Sequence, residues 1–430
     1  IMHLCLKDLK NWYNMQFKQA VRNIALMLFV FLLGFAPSSA FSIRNMCLNV
    51  VQISDTHISD GGDTSYKMLS SSKKLLKDAI DTVNNIPGVD FVMFTGDMVD
   101  IPLMENYKEF FTILSDLNRP SLLTFGNHDS AVCPLDSSEC SQGLRIEEVL
   151  DFVKKCNGNY VFDKTYYAFT PKTDYRIVVL DPVIRNEVTS NGYLDDEQLA
   201  FLDSELEQNR DKVVVIFQHH PVLEPFVSAD HSIKNADKYL EILHKYKNPI
   251  LICSGHYHAT KIFRDKNLVF VSTPSLVTFP NAFRLIKITN YKDRTFFEFI
   301  FYETNLKSIQ EQAKLSTIAS ASFYGTQKDR EQSFMVKKPY VKNKKTEKES
   351  VKKEKVKKEK KKKIKNKKSK KQEVQEEIQE MPPADISDDA IESVPDENEQ
   401  YVEENIQRMK EEFNDDLMPG GQEDLMQYGQ

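Results

Sequence analysis

Aspartate, asparagine and histidine residues recur where short apolar runs end, all of them between residues 48 and 305. Asp55 and His57 follow the run in VQISDTHIS, and four further runs end in TGD, GNHD, QHHP and GHYH. A lone Asp-x-His or Gly-Asp pair is weak evidence for chemistry, because aspartate and glycine are common in turns. Five such motifs in one chain are difficult to explain by turns or packing alone. They favour one shared site.

The types of donor in these motifs indicate bound metal. Carboxylate, amide oxygen and imidazole suit borderline divalent ions such as Mn, Fe, Zn or Co, and no cysteine belongs to the set. In Gly255-His256-Tyr257-His258 the two imidazoles lie on the same side of an extended segment, which packing alone does not require. Seven ligands, the number that the motifs supply, are too many for one ion. They suit two ions that share a bridging carboxylate.

Buried strands with intervening helices are predicted to position these side chains, which makes the fold class α/β. The predicted strands that precede the last four motifs are Phe91–Phe94, Ser121–Phe125, Val213–Phe217 and Ile250–Cys253. A helical pattern, LDDEQLAFLDSELEQN, begins after Asp195, a plausible helix cap. The carboxyl ends of strands in an open α/β sheet line one rim, where ligands bind. Gly96, Gly126 and Gly255 each precede a candidate ligand, where the chain must turn sharply.

Composition divides the 430 residues into one large domain with charged appendages. Residues 48–305 carry nearly all the strand-like runs, and that length is ample for one catalytic domain with its own core. Residues 306–336 are predicted to be a linker. Residues 337–371 hold 20 Lys against 4 Glu, and residues 372–430 hold 19 acidic residues, so the net charge of -6 conceals two opposite blocks. Both blocks are predicted to be disordered, because they cannot bury enough apolar surface.

The Lys-rich block has two interpretations. A dense positive charge is suited to contact with an anionic polymer, such as nucleic acid or an envelope polymer, or with an anionic membrane surface. The alternative is a solvated segment without a partner.

Residues 1–40 carry the three parts of a secretory signal peptide. Lys18 and Arg22 form a basic flank, Ile24–Ala36 is apolar and uncharged, and Ser38-Ser39-Ala40 supplies small residues before a cut. The basic flank favours the cytoplasm for the N-terminal side, so the chain beyond the apolar stretch is expected to be exported, either secreted or periplasmic. An uncleaved membrane anchor is the alternative, because residues 24–43 lack charge.

Export would permit disulfides. Cys133 and Cys140 flank a polar loop and are a candidate pair, whereas Cys253 in PILICSG is expected to be a buried free thiol. Spacing alone does not determine the connectivity.

The ordered motif set resembles the calcineurin-like metallophosphoesterases, which include purple acid phosphatases and Ser/Thr protein phosphatases. The resemblance covers about residues 48–305 and is specific, because all five motifs occur in order. Within it, GYLDDEQLAFLDSELEQNRDKVVVIFQHHP and ICSGHYHATKIF look most like the class III cyclic-nucleotide phosphodiesterases. The resemblance implies a four-layer αββα sandwich, in which two mixed β-sheets are flanked by helices and the metals lie at one edge.

The resemblance also implies which side chains hold the metals. Three match the ligands of the first metal: Asp55, His57 and His258. Three match the ligands of the second: Asn127, His219 and His256. Asp97 matches the carboxylate that bridges them. His219 is preferred to His220 because the family's ligand lies two residues before the proline.

Two further residues match positions that act on the substrate. His128 would face the substrate and give a proton to the leaving oxygen, and the carboxylate of Asp100 would orient His128. The alternative for Asp100 is a simple turn residue. His231 and His244 lie outside the motifs and are expected at the surface.

The resemblance implies a binuclear metal-dependent phosphoesterase in which a metal-bridging hydroxide attacks phosphorus. A small phosphodiester is the expected substrate, and loops at residues 130–155, 181–193 and 223–234 are candidates for selecting it. Two alternatives stay open. One is an exported phosphomonoesterase or nucleotide phosphatase, and the other is a non-catalytic surface scaffold with an adhesive Lys-rich tail.

Overall fold

Strands and helices alternate along residues 46–338, and the structure, a computed structural model, describes this range except residues 136–138 and 229. The signal peptide predicted in residues 1–40 lies outside the described residues. The same holds for the charged tail predicted at 337–430, apart from its first two residues. Over the described ranges, the helices are all too short or too polar to cross a membrane.

The first six-stranded sheet contains three of the strands whose ends carry the motifs. Strand β1 (Cys47–Ile53) pairs in parallel with β2 (Phe91–Thr95), which pairs in parallel with β3 (Ser121–Thr124). Beyond β1 the sheet continues with three antiparallel strands: β10 (Ala282–Asn290), β11 (Arg294–Glu303) and β12 (Gln332–Lys337). Three carboxyl ends therefore lie side by side at one rim.

The second six-stranded sheet carries the other two motif strands at its centre. Its parallel strands are β5 (Tyr175–Val179), β6 (Val213–Phe217), β7 (Ile250–Ser254) and β9 (Leu268–Ser272). Its antiparallel edges are β4 (Tyr167–Phe169) and β8 (Lys261–Asp265). The four strands predicted from apolar runs agree with β2, β3, β6 and β7 to within one residue at either end.

Helices connect the strands as the alternating pattern predicts. Those of the described residues are α1 (Ser72–Asn85), α2 (Met104–Leu114), α3 (Ile146–Cys156), α4 (Asp196–Gln208), α5 (Ala236–His244), α6 (Lys307–Ser316), α7 (Ser320–Tyr324) and α8 (Gln327–Arg330). The cap predicted for α4 is confirmed, because the Asp195 carboxylate accepts a hydrogen bond from Gln198 N at 2.7 Å.

The alternation of side chains along the strands produces the four layers. In β6, Val213 and Val215 pack in the main core, which includes residues of both sheets, whereas Val214 and Ile216 pack in a second core under α4 and α5. Helices α1 and α2 add their apolar faces to the main core against the first sheet. The predicted αββα class, with two mixed sheets flanked by helices, is confirmed.

Residues 306–336, predicted as a linker, are instead part of the fold. They form α6, α7, α8 and nearly all of β12, which pairs with β11 and buries Val336. Arg284 of β10 is fully buried and donates to the carbonyl oxygens of Asp329 (2.9 Å) and Arg330 (2.8 Å). The guanidinium therefore fixes α8 to the first sheet. No long apolar run marks this segment, so the sequence pattern alone does not reveal it.

Candidate metal centre

Backbone hydrogen bonds join the chain segments that follow β1 and β2. His57 N donates to Asp97 O at 3.0 Å, and Asp55 N donates to Gly96 O at 3.1 Å. The segment after β7 reaches the same rim, where His256 N lies 3.2 Å from each carboxylate oxygen of Asp55. Motif residues from both sheets therefore meet at one place.

One cluster contains the donors predicted for the first metal together with the predicted bridge. His57 Nε2 lies 3.2 Å from His258 Nε2 and 3.6 Å from Asp97 Oδ2, and His258 Nε2 lies 3.3 Å from Asp55 Oδ1. All four side chains are buried. Donor atoms held about 2.0–2.2 Å from one ion lie roughly 2.8–3.6 Å apart, so this cluster has the size that a metal requires.

A second cluster contains the donors predicted for the second metal. His219 Nε2 lies 3.2 Å from each of three atoms: His256 Nδ1, Asn127 Oδ1 and Asp97 Oδ2. These distances fall in the same range as those of the first cluster. The residues present therefore fit two ions.

Asp97 belongs to both clusters through a single oxygen, Oδ2, while its Oδ1 accepts a hydrogen bond from His128 N at 2.9 Å. Burial alone would raise the pKa of Asp97, but the imidazoles of His219 and His128 more than offset it and hold that pKa well below its usual range. Burial would likewise lower the pKa of His219, yet the Asp97 carboxylate raises it to about 9. The centre therefore keeps its bridging carboxylate ionised and attracts positive charge.

Hydrogen bonds on the far side of three imidazoles orient them toward the centre. His57 Nδ1 lies 3.2 Å from Asp100 Oδ1, His219 Nδ1 donates to Thr95 O at 2.7 Å, and His258 Nδ1 lies 2.7 Å from Thr278 Oγ1. These contacts leave the Nε2 lone pair of each ring directed at its cluster, as a metal ligand requires. His256 instead presents Nδ1.

The backbone is strained at the predicted ligands. Side chains with a Cβ rarely adopt positive φ, and such strain collects at functional sites. Among the described residues, eight that are not glycine have positive φ, and five of them are predicted ligands: Asp55 (53°), His57 (40°), Asp97 (51°), His256 (70°) and His258 (54°). The strain points to a constraint imposed by binding.

Glycines allow the loops to approach one another. Gly96 has a φ of 87°, which favours glycine, and a Cβ there would also collide with the His219 ring. A Cβ at Gly126 would collide with Asp97, and a Cβ at Gly255 would collide with Asp55. The sharp turn predicted for these glycines is confirmed at Gly96. Gly126 and Gly255 are needed instead because the neighbouring side chains leave no space for a Cβ.

His128 and Asp100 lie together, but not through the predicted contact. His128 Nδ1 donates to the backbone carbonyl of Asp100 at 2.7 Å, and the Asp100 carboxylate lies against His57 Nδ1 and Lys67 Nζ instead, each at 3.2 Å. The predicted orientation of His128 by the Asp100 carboxylate is wrong, because that carboxylate is held instead by the Lys67 ammonium and by the imidazole of His57. Asp100 still fixes the His128 ring, through its main chain.

Asp129 is a buried residue of the GNHD motif to which the sequence assigned no role. Its Oδ1 accepts from Met98 N (2.8 Å) and Val99 N (3.4 Å), and its Oδ2 accepts from Gly126 N (2.8 Å). Burial and the nearby Asp97 carboxylate raise the pKa of Asp129 to about 7. Asp129 therefore ties the ligand loop after β3 to the ligand loop after β2.

Three histidines outside the ligand set have distinct surroundings. His220 Nε2 donates to Ser190 O at 3.1 Å and does not join the donor clusters, in keeping with the choice of His219. His231, expected at the surface, is half-buried with its ring 5.3 Å from that of His256. The one sequence feature that indicates a position near His256 is that His231 belongs to the predicted substrate loop 223–234. His244 is half-exposed, as expected, and pairs with Asp265 at 2.8 Å.

The cysteines agree with the two specific expectations. Cys133 and Cys140 form a disulfide in the loop after the GNHD motif, and Cys253 is a buried free thiol. The bridge closes a short loop five residues beyond His128.

Comparison with known proteins extends these observations. A curated relative, a probable glycerophosphodiester phosphodiesterase of Arcobacter nitrofigilis, is 29% identical over 234 residues, which cover 53% of this chain and 78% of that protein. A probable cyclic nucleotide phosphodiesterase of Colwellia psychrerythraea is 21% identical over 223 residues, which cover 51% of this chain and 74% of that one. Among solved structures, a dimetal phosphatase from Danio rerio aligns with a TM-score of 0.45 at 16% identity, covering 60% of this chain and 99% of that chain.

The family assignment follows from the sequence match and from the site. The family model of calcineurin-like phosphoesterases matches residues 48–260, a range that includes every residue of the two clusters. Residues 48–260 therefore belong to the calcineurin-like phosphoesterase family, and the chain is a hydrolase of phosphoesters with a candidate binuclear metal site.

Proposed function

We propose that the chain hydrolyses a small phosphodiester, and that its two ions are drawn from Mn, Fe, Zn and Co. Two of its relatives are named as phosphodiesterases, which supports the diester. The mixed carboxylate, amide and imidazole donors support the choice of ions, because thiolate ligands would favour a structural zinc and all-oxygen ligands would favour Mg or Ca.

The residues of the chain have separate tasks in this reaction. The two ions, when bound, supply Lewis acidity and an activated water. Asp97 would hold both ions, because one of its oxygens faces both clusters. The contact of His128 Nδ1 with Asp100 O fixes the ring and uses the Nδ1 proton, so His128 gives a proton to the departing alcohol oxygen from Nε2, as an imidazolium that becomes neutral in the step.

A cavity in the predicted substrate loops offers space for the second ester group of a diester. It has a volume of about 440 Å³ and is lined mainly by Asp181, residues 183–187, Tyr193 and Lys234, which belong to the predicted substrate loops. Arg185 in its wall donates from Nε to Ser130 Oγ at 2.9 Å, two residues beyond His128. A phosphodiester carries a second ester group that needs such a space, whereas a monoester does not. The two donor clusters, together with two relatives named as phosphodiesterases, are the observation that carries the proposal.

The test compares two substrates on the Mn-loaded full-length chain: bis(4-nitrophenyl) phosphate and 4-nitrophenyl phosphate. Turnover of the diester well above that of the monoester supports the proposal. Dominant turnover of the monoester favours the exported phosphomonoesterase or nucleotide phosphatase. No turnover of either substrate, with two Mn ions bound, favours the non-catalytic scaffold. His244→Ala, a change at a half-exposed histidine remote from the clusters, serves as the matched control.

We further propose that the protein is exported. The basic, apolar and small-residue segments of residues 1–40 and the Cys133–Cys140 disulfide support this, because disulfides persist in oxidising compartments. N-terminal sequencing of the protein isolated from its producing cells tests it. A mature N-terminus near Phe41 in an extracytoplasmic fraction supports cleavage, and an intact N-terminus in the membrane fraction supports an anchor. Recovery from the cytoplasm contradicts the proposal.

The Lys-rich segment is proposed to contact an anionic polymer or an anionic membrane surface. Binding of the full chain to anionic and to neutral lipid vesicles, and to a polyphosphate column, tests this at two salt concentrations. Salt-sensitive retention on an anionic surface supports the proposal, and equal behaviour on neutral vesicles contradicts it.

A further inference from the structure

Lys67 places an ammonium group against the first cluster, although it belongs to none of the motifs. Its side chain is only 8% exposed, and Nζ lies 3.2 Å from Asp100 Oδ1 and 3.4 Å from His57 Nδ1. Removing an ammonium from water is costly unless a carboxylate compensates it. Asp100 is that carboxylate.

One carboxylate oxygen serves two donors here. His57 Nδ1 lies 3.2 Å from the same Asp100 Oδ1, so the imidazole N–H and the ammonium share one acceptor. Both flanking segments are held by their main chains. Lys67 N donates to Thr64 Oγ1 at 2.9 Å, and Asp100 N donates to Ile58 O at 3.2 Å. The arrangement is therefore built into the fold.

The shared oxygen has a consequence for the opposite side of the imidazole. A carboxylate that accepts the Nδ1–H of a metal-binding histidine makes Nε2 a stronger ligand. An ammonium on the same oxygen draws charge away from that hydrogen bond and weakens the effect. The ammonium also lies 3.4 Å from Nδ1 of the ring whose Nε2 would hold a cation, and like charges repel strongly where the dielectric is low. Both effects reduce the affinity for metal.

The second cluster is supported differently. His219 Nδ1 donates to the uncharged carbonyl of Thr95 at 2.7 Å. The two predicted metal positions therefore differ in the groups that contact Nδ1 of their histidines: a carboxylate paired with an ammonium at His57, and an uncharged carbonyl at His219. Their donor distances are similar.

We propose that Lys67 lowers the affinity of the first metal position, formed by Asp55, His57 and His258, below the value that its donors alone would give. Lys67 acts through Asp100 and His57 and is a positioning residue. The inference rests on the proposed two-metal function, and its test measures metal binding directly.

The test is a Mn titration of the full-length protein by calorimetry, after removal of metals with a chelator. Lys67→Met keeps the length of the side chain but removes its charge, and it is expected to tighten one of the two Mn equilibria about tenfold or more. Lys67→Arg keeps the charge and is expected to bind as the wild type does. Lys73→Met removes a partly exposed lysine that pairs with Asp60 and is the matched control.

The direction of the change separates this role from a purely structural one, because damage to the fold would weaken Mn binding. Unchanged or weaker binding by folded Lys67→Met overturns the inference, and so does equal tightening in Lys67→Arg. If circular dichroism shows that Lys67→Met is unfolded, Lys67→Gln carries the same expectation and the same overturning result. A wild-type chain that binds no Mn contradicts the proposed function itself, whereas two Mn ions without tightening contradict only the role of Lys67.

Discussion

Asp97 is the residue on which both clusters depend. Its Oδ2 lies 3.2 Å from His219 Nε2 and 3.6 Å from His57 Nε2, and its Oδ1 holds the main chain of His128. One carboxylate would thus hold two ions, and it also fixes the main chain of the residue assigned to the leaving group. A change at Asp97 acts on both ions at once, whereas a change at an outer ligand acts first on one.

Asp97→Asn is expected to abolish stoichiometric binding of the Mn pair and to lower turnover of bis(4-nitrophenyl) phosphate by at least about a hundredfold. The amide has nearly the same shape but lacks the charge that balances two cations. Metal content after dialysis and initial rates check this, with Asp265→Asn, remote from the clusters, as the control. A folded variant that retains both ions would contradict the bridging role.

His128→Ala is expected to leave both ions bound and to slow turnover by roughly 10²–10⁴-fold. The loss should be greater for an alkyl leaving group than for nitrophenolate, because the alkoxide needs the proton more. Rates on an alkyl nitrophenyl diester and a dialkyl diester, with metal content measured in parallel, check the assignment. Loss of the ions from this variant, but not from His244→Ala, would mean that His128 is a ligand.

The sequence predicts the types and groupings of these residues better than their contacts. Asp55, His57 and Asp97 are recognisable because each follows a buried strand. The Asp100 carboxylate is not placed correctly, because its direction depends on Lys67, which is distant in sequence and has the pattern of a solvent-exposed charge. Burial of a charged side chain depends on tertiary partners that no local pattern encodes.

The two sheets are linked beneath the site by Gln52 of β1. Its Nε2 donates to Thr95 Oγ1 in the same sheet and to Ser254 O in the other, both at 3.0 Å, and its Oε1 accepts from Thr273 Oγ1 at 2.8 Å. Gln52 is fully buried. Since Asp55 lies three residues later, this amide helps to set the distance between the ligand segments of the two sheets.

Gln52→Met is expected to lower the free energy of unfolding by about 2–4 kcal/mol, because it leaves buried polar groups on both sheets without their partner. Urea denaturation of the metal-free protein measures this. Gln208→Met, on the exposed face of α4, is expected to stay within about 0.5 kcal/mol of the wild type. A loss below about 1 kcal/mol at Gln52 would mean that water replaces its contacts.

Elements differ in how readily the sequence predicts them. Strands β2, β6 and β7 consist mostly of continuous apolar runs, and their burial on both faces is the direct expectation, whereas β3 has only Leu122 and Leu123 between polar residues. Strand β12 mixes Phe334 and Val336 with polar residues, next to a charged segment, and its pairing with β11 is formed only through the folded sheet. Arg284 is typical of a surface residue, yet its guanidinium is buried because it satisfies the carbonyls of α8.

The folded unit reaches Lys338, where the main-chain N donates to Asp293 O at 2.9 Å, rather than residue 305. A chain that ends at residue 338 is therefore expected to keep the thermal stability and diester turnover of the full protein. A chain that ends at residue 305 lacks β12 and the helices that cover the sheet, and its melting temperature should fall by at least about 10 °C. Thermal unfolding of both truncated chains checks this. Equal stability of the shorter chain would restore the linker interpretation.

The positive φ values at the ligand residues mean that the metal site lowers the stability of the fold. Each such conformation costs on the order of 1 kcal/mol or more for a side chain with a Cβ, and glycine or asparagine tolerates it better. A duplicated copy of this chain that was no longer selected for hydrolysis would gain stability by exchanging His57 or His256 for such residues. In this fold, replacement of the strained ligands is therefore expected to raise stability, so the metal site is kept at an energetic cost.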